Sequence, residues 1–227
     1  MIQQRKNAEV PLPGSIVGTI HTPAGFAAAG RAATVIDFVE IRADCLPPST
    51  SARGASRLSL PYILTARHPE EGGHGELSDA DRQDRIAPLL GAAAFLDLEL
   101  RAVRSMQSTI RAARESGVGL IVSFHDFVST PAASTLRGVV ERAAGAGADV
   151  VKIATTLSSA SDLARLLALL DMTPRPPLAV MGMGDLGKIS RLVLAKAGSV
   201  LNYGWLAAPQ VPGQWPAKDF RRFLLEL

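Results

Sequence analysis

The sequence predicts an α/β protein folded as a single (β/α)8 barrel, also called a TIM barrel. About eight short apolar runs alternate along the chain with amphipathic stretches, a pattern typical of strand–helix repeats around a parallel sheet. The chain has 227 residues, a length that fits one such barrel. No shift in composition marks a boundary, so we expect residues 1–227 to form one catalytic domain, with residues 1–13 as a flexible N-terminal arm.

The predicted strands are apolar runs, most of them rich in valine and isoleucine. This composition is expected of parallel strands that are buried on both faces. In chain order the predicted strands cover residues 16–20, 35–42, 62–67, 95–100, 119–124, 149–155, 177–183 and 199–204.

The predicted helices lie between these strands and show helical periodicity. The clearest cover residues 79–91, 100–116, 130–146, 159–170 and 186–197, and residues 216–227 form a closing amphipathic helix. Start signals are Ser78-Asp79, Thr130-Pro131 and Ser158 or Ser159, and stop signals are Gly117 and Gly147.

Two helices are weak in the sequence. Residues 47–58 are short and rich in serine and proline, so we expect the second helix to be reduced or irregular, and residues 24–33 make a poor helix. The alternative architecture is a doubly wound open sheet. That fold usually carries a glycine-rich dinucleotide turn after its first strand, where this chain has Ile20-His21-Thr22-Pro23, so the barrel is favoured.

Composition excludes several classes of protein. Apolar residues make up 47% and charged residues 20%, as in ordinary globular proteins, and the formal charge of +3 is too small to predict nucleic-acid binding. The single cysteine, Cys45, fits a cytoplasmic protein without an internal disulfide. The histidine spacings predict no metal site. We expect no signal peptide and no membrane span.

Charged residues gather at the predicted carboxyl ends of the strands, where barrel active sites form. The second strand ends in Glu40-Ile41-Arg42, whose two charges share one face because side chains alternate along a strand. Arg42, Arg67 and Arg191 could hold a carboxylate and hydroxyls, or they could pair with acidic side chains as internal struts. For Asp97 and Glu99 on the fourth strand, the strut is the favoured interpretation.

Lys152 is the sharpest single feature, because it lies inside the apolar run Val150-Val151-Lys152-Ile153-Ala154. A buried charge is costly, and burial favours the neutral, nucleophilic form of an amine. The alternative to a catalytic role is that Lys152 lies at the end of the strand and extends its amine to solvent. His125 on the preceding strand is a natural proton carrier, although its ring could simply be satisfied by backbone. The ring of charges on the other strand ends favours the catalytic interpretation of Lys152 as a nucleophile.

These residues resemble the type I 3-dehydroquinate dehydratases, the Schiff-base enzymes of the shikimate pathway. The similarity runs in order over most of the chain. Its segments are Glu40-Ile41-Arg42-Ala43-Asp44, then Arg67 with Glu71-Gly72-Gly73, Asp97-Leu98-Glu99-Leu100, Ser123-Phe124-His125-Asp126-Phe127, Thr130-Pro131, Ala148-Asp149-Val150-Val151-Lys152-Ile153-Ala154, Met181-Gly182-Met183-Gly184, Ile189-Ser190-Arg191-Leu192 and Pro212-Gly213-Gln214.

The resemblance implies a role for each matching residue. Lys152 would form the imine with the C3 ketone, His125 would remove the C2 proton and help the C1 hydroxyl leave, and Glu71 would orient His125. Arg191 and Gln214 would hold the carboxylate. Contacts to the ring hydroxyls would come from Glu40, Arg42 and Arg67. The reaction needs no metal or organic cofactor, the substrate is 3-dehydroquinate, and a homodimer is implied.

The chain departs from the family at three places. Gln210-Val211 stand where the family has Ser-Ala before Pro-Gly-Gln, so Gln210 is the expected substrate contact in a lid loop. Residues 46–61 are shorter than usual, and the polar residue after the first strand is either Thr19 or His21. Two rival functions remain: another Schiff-base barrel of the aldolase kind, which would need a phosphate site absent from residues 199–204, or a barrel that binds without turnover.

Overall fold

The computed structural model describes residues 10–173 and 176–227, so most of the predicted N-terminal arm lies outside the described residues. Its strands are β1 (Ser15–Ile20), β2 (Phe38–Arg42), β3 (Tyr62–Thr65), β4 (Phe95–Glu99), β5 (Gly119–Asp126), β6 (Val150–Thr156), β7 (Leu178–Met183) and β8 (Leu201–Trp205). Its helices are α1 (Pro23–Arg31), α2 (Pro48–Ala55), α3 (Asp79–Leu90), α4 (Gln107–Glu115), α5 (Ala133–Gly145), α6 (Ala160–Leu170), α7 (Gly187–Lys196) and α8 (Ala217–Glu226).

The eight strands form one parallel sheet in the order β7-β6-β5-β4-β3-β2-β1-β8. β8 pairs with β1, and the two edge strands of this order, β7 and β8, lie side by side, so the sheet closes on itself. The remaining seam is bridged where the amide of Val200 donates to the carbonyl of Leu178 at 2.9 Å. The predicted (β/α)8 barrel is therefore confirmed.

Two apolar layers hold the barrel together. Side chains that point inward from the strands fill its interior, and they include Val17, Ile63, Phe95, Ile121 and Val150. A second, larger layer lies between the outer face of the strands and the helices. The alternation of side chains along each strand assigns alternate residues to these layers, which is why the sequence shows nearly continuous apolar runs.

Capping boxes set the starts of α3 and α6 where the sequence predicts them. The amide of Asp81 donates to Oγ of Ser78, and the carboxylate of Asp81 accepts from the Ser78 amide at 2.9 Å, which closes a capping box on α3. Gly117 and Gly147 follow α4 and α5 with φ of 75° and 81°. This left-handed conformation is one that glycine adopts without strain.

Other boundaries differ from prediction. The helix expected to begin at Thr130 begins at Ala133, because Oγ1 of Thr130 instead bonds Oγ1 of Thr155 and the carbonyl of Thr156. The helix expected over 100–116 is split into a 3-10 turn at Leu100–Ala102 and α4. The strand expected from residue 35 begins at Phe38, since the amides of Val35 and Ile36 bond the carbonyl of Ala32.

The two weak helices both form. α1 is a nine-residue helix with a proline in its first turn, although the sequence suggested a poor one. α2 has eight residues, so the expected reduction of the second helix is confirmed. No helix within the described residues is long and apolar enough to cross a membrane.

Candidate active site

A cavity of about 450 Å³ opens at the carboxyl ends of the strands. Nine side chains predicted from the sequence line it together: Glu40, Arg42, Arg67, Glu71, His125, Lys152, Arg191, Gln210 and Gln214. They come from β2, β5 and β6, from the loops after β3 and β8, and from α7. Parallel strands in a barrel all end at the same rim, so residues far apart in sequence meet there.

Lys152 is buried, with 4% of its surface exposed, and its side chain enters the cavity from β6. Its Nζ lies 2.9 Å from Oδ2 of Asp97 and 3.5 Å from Oε1 of Glu40. The same nitrogen lies 4.1 Å from the centre of the Tyr203 ring. An amine between two carboxylates and an aromatic face is well placed to carry a positive charge.

Asp97 is a strut that ties Lys152 to Arg67. Its two oxygens accept from the guanidinium of Arg67 at 3.1 and 2.9 Å, and Oγ of Ser123 donates to it at 2.7 Å. Burial alone would raise the pKa of Asp97, but the positive charges of Arg67 and Lys152 outweigh burial and hold the pKa well below its ordinary value. The carboxylate therefore stays ionised beside the lysine.

The strut continues outward to a second buried arginine. Arg67 also donates to Oε1 of Glu99 at 2.8 Å, and the other oxygen of Glu99 accepts from Arg82. Arg82 lies on α3, is fully buried, and donates to the carbonyl of Ala66 at 2.7 Å. This chain of charges anchors the β3 end to β4 and α3.

His125 and Glu71 form a pair at the cavity wall. Oε2 of Glu71 accepts from the backbone amide of His125 at 2.9 Å and lies 3.0 Å from its Nδ1. Burial lowers the pKa of His125 well below its ordinary value, helped by Arg67 and Lys152. Burial and the charge of Glu99 raise the pKa of Glu71 to about 7. A neutral imidazole held through Nδ1 leaves Nε2 free to accept a proton.

Glu40 and Arg42 share the cavity face, as strand alternation predicts. Oγ1 of Thr65 donates to Glu40 at 3.1 Å. Arg42 makes a two-pronged contact with Asp44 at 2.9 and 2.7 Å and donates to the carbonyl of Gly72 at 3.1 Å. Much of the donor capacity of Arg42 is thus used within the protein.

Arg191 is a buried cation that bridges the seam of the barrel. It donates to the carbonyl of Gly182 on β7 and to that of Tyr203 on β8, each at 3.0 Å. No carboxylate lies within ion-pair distance of it among residues 10–173 and 176–227. Burial lowers its pKa to about 10. An uncompensated cation in a cavity favours an anionic ligand.

The loop between β8 and α8 covers one side of the cavity. The side-chain oxygen of Gln214 accepts a hydrogen bond from the backbone amide of Gln210 at 3.0 Å. This bond holds the turn, and it uses the backbone of residue 210, not its side chain. Gly213 has a φ of 79°, and a Cβ there would lie 2.6 Å from the carbonyl of Gly184. Only glycine lets this loop sit so closely on the loop after β7.

Three residues important to this geometry had no role assigned from the sequence. The carboxylate of Asp44 accepts hydrogen bonds from Arg42 and from the backbone amides of Arg67 and His74. Burial alone would raise the pKa of Asp44, but these contacts outweigh burial and lower it to about 2. Arg82 was not singled out because it is one of many charged residues on a polar helix, where an arginine is expected to be exposed. Tyr203 was not singled out because it lies in a mostly apolar predicted strand. The alternation of side chains along that strand was the one signal that could have placed it inside the barrel.

The comparison with known proteins agrees with this geometry. A sequence model of the type I 3-dehydroquinase family matches residues 20–226. The chain belongs to the type I 3-dehydroquinase family. This confirms the resemblance drawn from the sequence.

Several relatives of the type I 3-dehydroquinase family are similar over most of the chain. The 3-dehydroquinate dehydratase of Methanothrix thermoacetophila is 35% identical over 90% of this chain and 88% of its own length. A bifunctional 3-dehydroquinate dehydratase/shikimate dehydrogenase of Arabidopsis thaliana is 35% identical over 81% of this chain, which spans only 31% of that longer protein. The crystal structure of 3-dehydroquinate dehydratase from Geobacillus kaustophilus matches with a TM-score of 0.84 at 28% identity, covering 96% of this chain and 91% of that one.

Proposed function

We propose that this chain removes water from 3-dehydroquinate to give 3-dehydroshikimate, through a Schiff base on Lys152. The observation that carries the proposal is that a buried lysine between carboxylates and a histidine held by Glu71 line one cavity. Membership of the 3-dehydroquinase family and the names of the relatives support the substrate.

In the first step, the amine of Lys152 releases a proton and attacks the C3 ketone, and the carbonyl oxygen leaves as water after taking up that proton and a second proton from the amine. The product is a protonated imine, which draws electrons from the adjacent C2–H bond. Asp97, 2.9 Å from Nζ, and Glu40, 3.5 Å away, are placed to stabilise its positive charge.

In the second step, His125 removes a proton from C2 and gives a proton to the C1 hydroxyl as it leaves. His125 acts first as a base and then, once protonated, as an acid, and an imidazole is suited to both roles. Water then hydrolyses the conjugated imine, which releases the enone and regenerates Lys152. The water lost on imine formation is returned here, so one water is released overall.

The substrate carboxylate is assigned to Arg191 and Gln214. The buried charge of Arg191 supports this, because a carboxylate would give it the counter-ion that the described residues do not. Gln210 holds Gln214 through its backbone amide, and its side chain lines the same cavity. Glu40, Arg42 and Arg67 are proposed to lie near the ring hydroxyls and the imine.

Borohydride trapping tests the proposal. Reduction of the protein with 3-dehydroquinate should add the mass of the bound ligand, less one water and plus two hydrogens, to the tryptic peptide that contains Lys152. Lys152→Met should take up no adduct and should lose the absorbance increase of the conjugated product. Lys196→Met removes an exposed lysine on α7 and is the matched control, expected to behave like wild type. Wild-type turnover by Lys152→Met would reject the mechanism.

We also propose a homodimer and a cytoplasmic location. Both rest on the resemblance to the family, and the single cysteine agrees with the second. Light scattering coupled to size-exclusion chromatography tests the dimer directly. A mass of one chain at working concentrations would reject it.

A further inference from the structure

Three residues that line one wall of the cavity have polar atoms that the mechanism above does not use. These are the hydroxyl oxygens of Thr19 and Tyr203 and Nδ1 of His21. All three atoms are buried, and none has a hydrogen-bond partner among the residues the structure describes. A buried polar group without a partner is destabilising, so a wall of three indicates a polar ligand.

The arginines nearest to the lysine have few donors left for such a ligand. Arg67 is engaged by Asp97, Glu99 and Ser123 at 2.7 to 3.1 Å. Arg42 is engaged by Asp44 and a backbone carbonyl. Besides the contact proposed for Glu40, a hydroxylated ring therefore needs further hydrogen-bond donors, and the wall formed by β1 and β8 offers them.

Tyr203 is the best placed of the three. It is 4% exposed, lies on β8, and its ring is the aromatic face 4.1 Å from Nζ of Lys152. The phenol oxygen is attached to that ring, so it lies in the same part of the cavity as the substrate carbon that becomes bonded to Nζ. Burial, with Glu40 and Asp97, holds the pKa of Tyr203 well above its ordinary value, so the hydroxyl stays a donor.

We propose that the Tyr203 hydroxyl hydrogen-bonds the substrate hydroxyl next to the imine carbon and selects for rings that carry it. Of the two carbons beside the ketone, one loses its proton and bears no hydroxyl, and the other bears the hydroxyl in question. Tyr203 is thus a specificity-determining residue. This assignment rests on the proposed function for the identity of the ring.

The chain supplies a matched control, because its only other tyrosine has a purely structural bond. Tyr62 is buried on β3, and its hydroxyl donates to the carbonyl of Leu89 at 2.6 Å. Tyr203→Phe and Tyr62→Phe each remove one buried hydroxyl and keep the ring. The first removes an unpartnered group and the second a satisfied one, so their effects on stability should differ.

The experiment measures KM, kcat and thermal midpoint for wild type and both variants. Tyr203→Phe should raise KM for 3-dehydroquinate about 3- to 10-fold, as expected for one hydrogen bond, without lowering the thermal midpoint. With an analogue that lacks the hydroxyl beside the ketone, Tyr203→Phe should match wild type. Tyr62→Phe should lower the thermal midpoint and leave KM unchanged.

The failure of this inference is separable from failure of the proposed function. If wild type turns over and Tyr203→Phe has the same KM and the same discrimination against the deoxy analogue, the Tyr203 assignment is wrong. If wild type does not turn over, the proposed function is wrong. Binding of 3-dehydroshikimate, measured by calorimetry on both proteins, then decides the Tyr203 assignment: weaker binding by Tyr203→Phe supports it, and equal binding rejects it.

Discussion

Nζ of Lys152 on β6 lies 2.9 Å from Oδ2 of Asp97 on β4, two strands away in the barrel wall. Both side chains are buried, and Asp97 is also held by Arg67. The carboxylate fixes the position of the amine and provides a permanent counter-charge for a cation at Nζ. Asp97 therefore links the stability of the barrel to the chemistry at its mouth.

Replacing Asp97 with asparagine should be strongly destabilising. Asp97→Asn leaves two buried cations short of a counter-ion, and breaking a buried pair in this way costs about 3–5 kcal/mol of unfolding free energy. Urea unfolding measures the loss. Asp84→Asn, at an exposed position on α3, is the control and should stay near wild type. A loss no larger than the control's would mean that Arg67 and Lys152 find other partners.

Glu71 should control the acid side of the pH profile. Its pKa is about 7, and below that pH a protonated Glu71 donates to Nδ1 of His125, which places the imidazole proton on Nε2. That form of His125 cannot act as a base, so kcat/KM should fall as the pH drops through about 7. In Glu71→Gln this limb should disappear, with kcat lower by roughly 10- to 100-fold. An unchanged acid limb would assign it to another group.

The same shift predicts how stability depends on pH. The carboxyl of Glu71 titrates near its ordinary value of 4.5 when unfolded and near 7 when folded, so the unfolded state binds fewer protons between these values. The contribution of Glu71 to stability is therefore present below about 4.5 and is lost as pH rises through 7. The thermal midpoint of wild type relative to Glu71→Gln should fall across this window and stay level above it.

Substrate binding should depend both on the positive charge of Arg191 and on the shape of its guanidinium. Arg191→Lys keeps the charge but cannot bridge the carbonyls of Gly182 and Tyr203 while holding a carboxylate, so KM should rise about 10- to 100-fold. Steady-state kinetics measure it, with exposed Arg111→Lys as control. A wild-type KM in Arg191→Lys would place the substrate carboxylate elsewhere.

The lid should affect binding more than chemistry. Gln214→Ala removes the acceptor for the Gln210 amide and a donor to the cavity, so KM should rise about 10-fold while kcat changes by less than about 3-fold. Ala207→Ser changes an exposed residue of the same loop and should leave both constants unchanged. A fall in kcat without a rise in KM would show that the loop acts on the reacting atoms instead.

The sequence by itself predicted the barrel, and it predicted that the main side chains of the candidate site lie together at the carboxyl ends of the strands. Strand periodicity and the shared rim of parallel strands are local rules, so they were enough to place His125, Lys152 and the charged end of β2 in one cavity. The start of α5 was wrong by three residues, because a tertiary bond between Thr130 and Thr155 outweighed a local start signal.

The tertiary structure decided which charged groups are engaged and which are free. Arg42, Arg67 and Arg191 look alike in the sequence, yet the first two are paired with carboxylates and the third has none among the described residues. It also identified Tyr203, and it showed that residue 210 holds Gln214 through its backbone, whatever its side chain. Pairing depends on distances between strands that are far apart in the chain, and no local pattern records those distances.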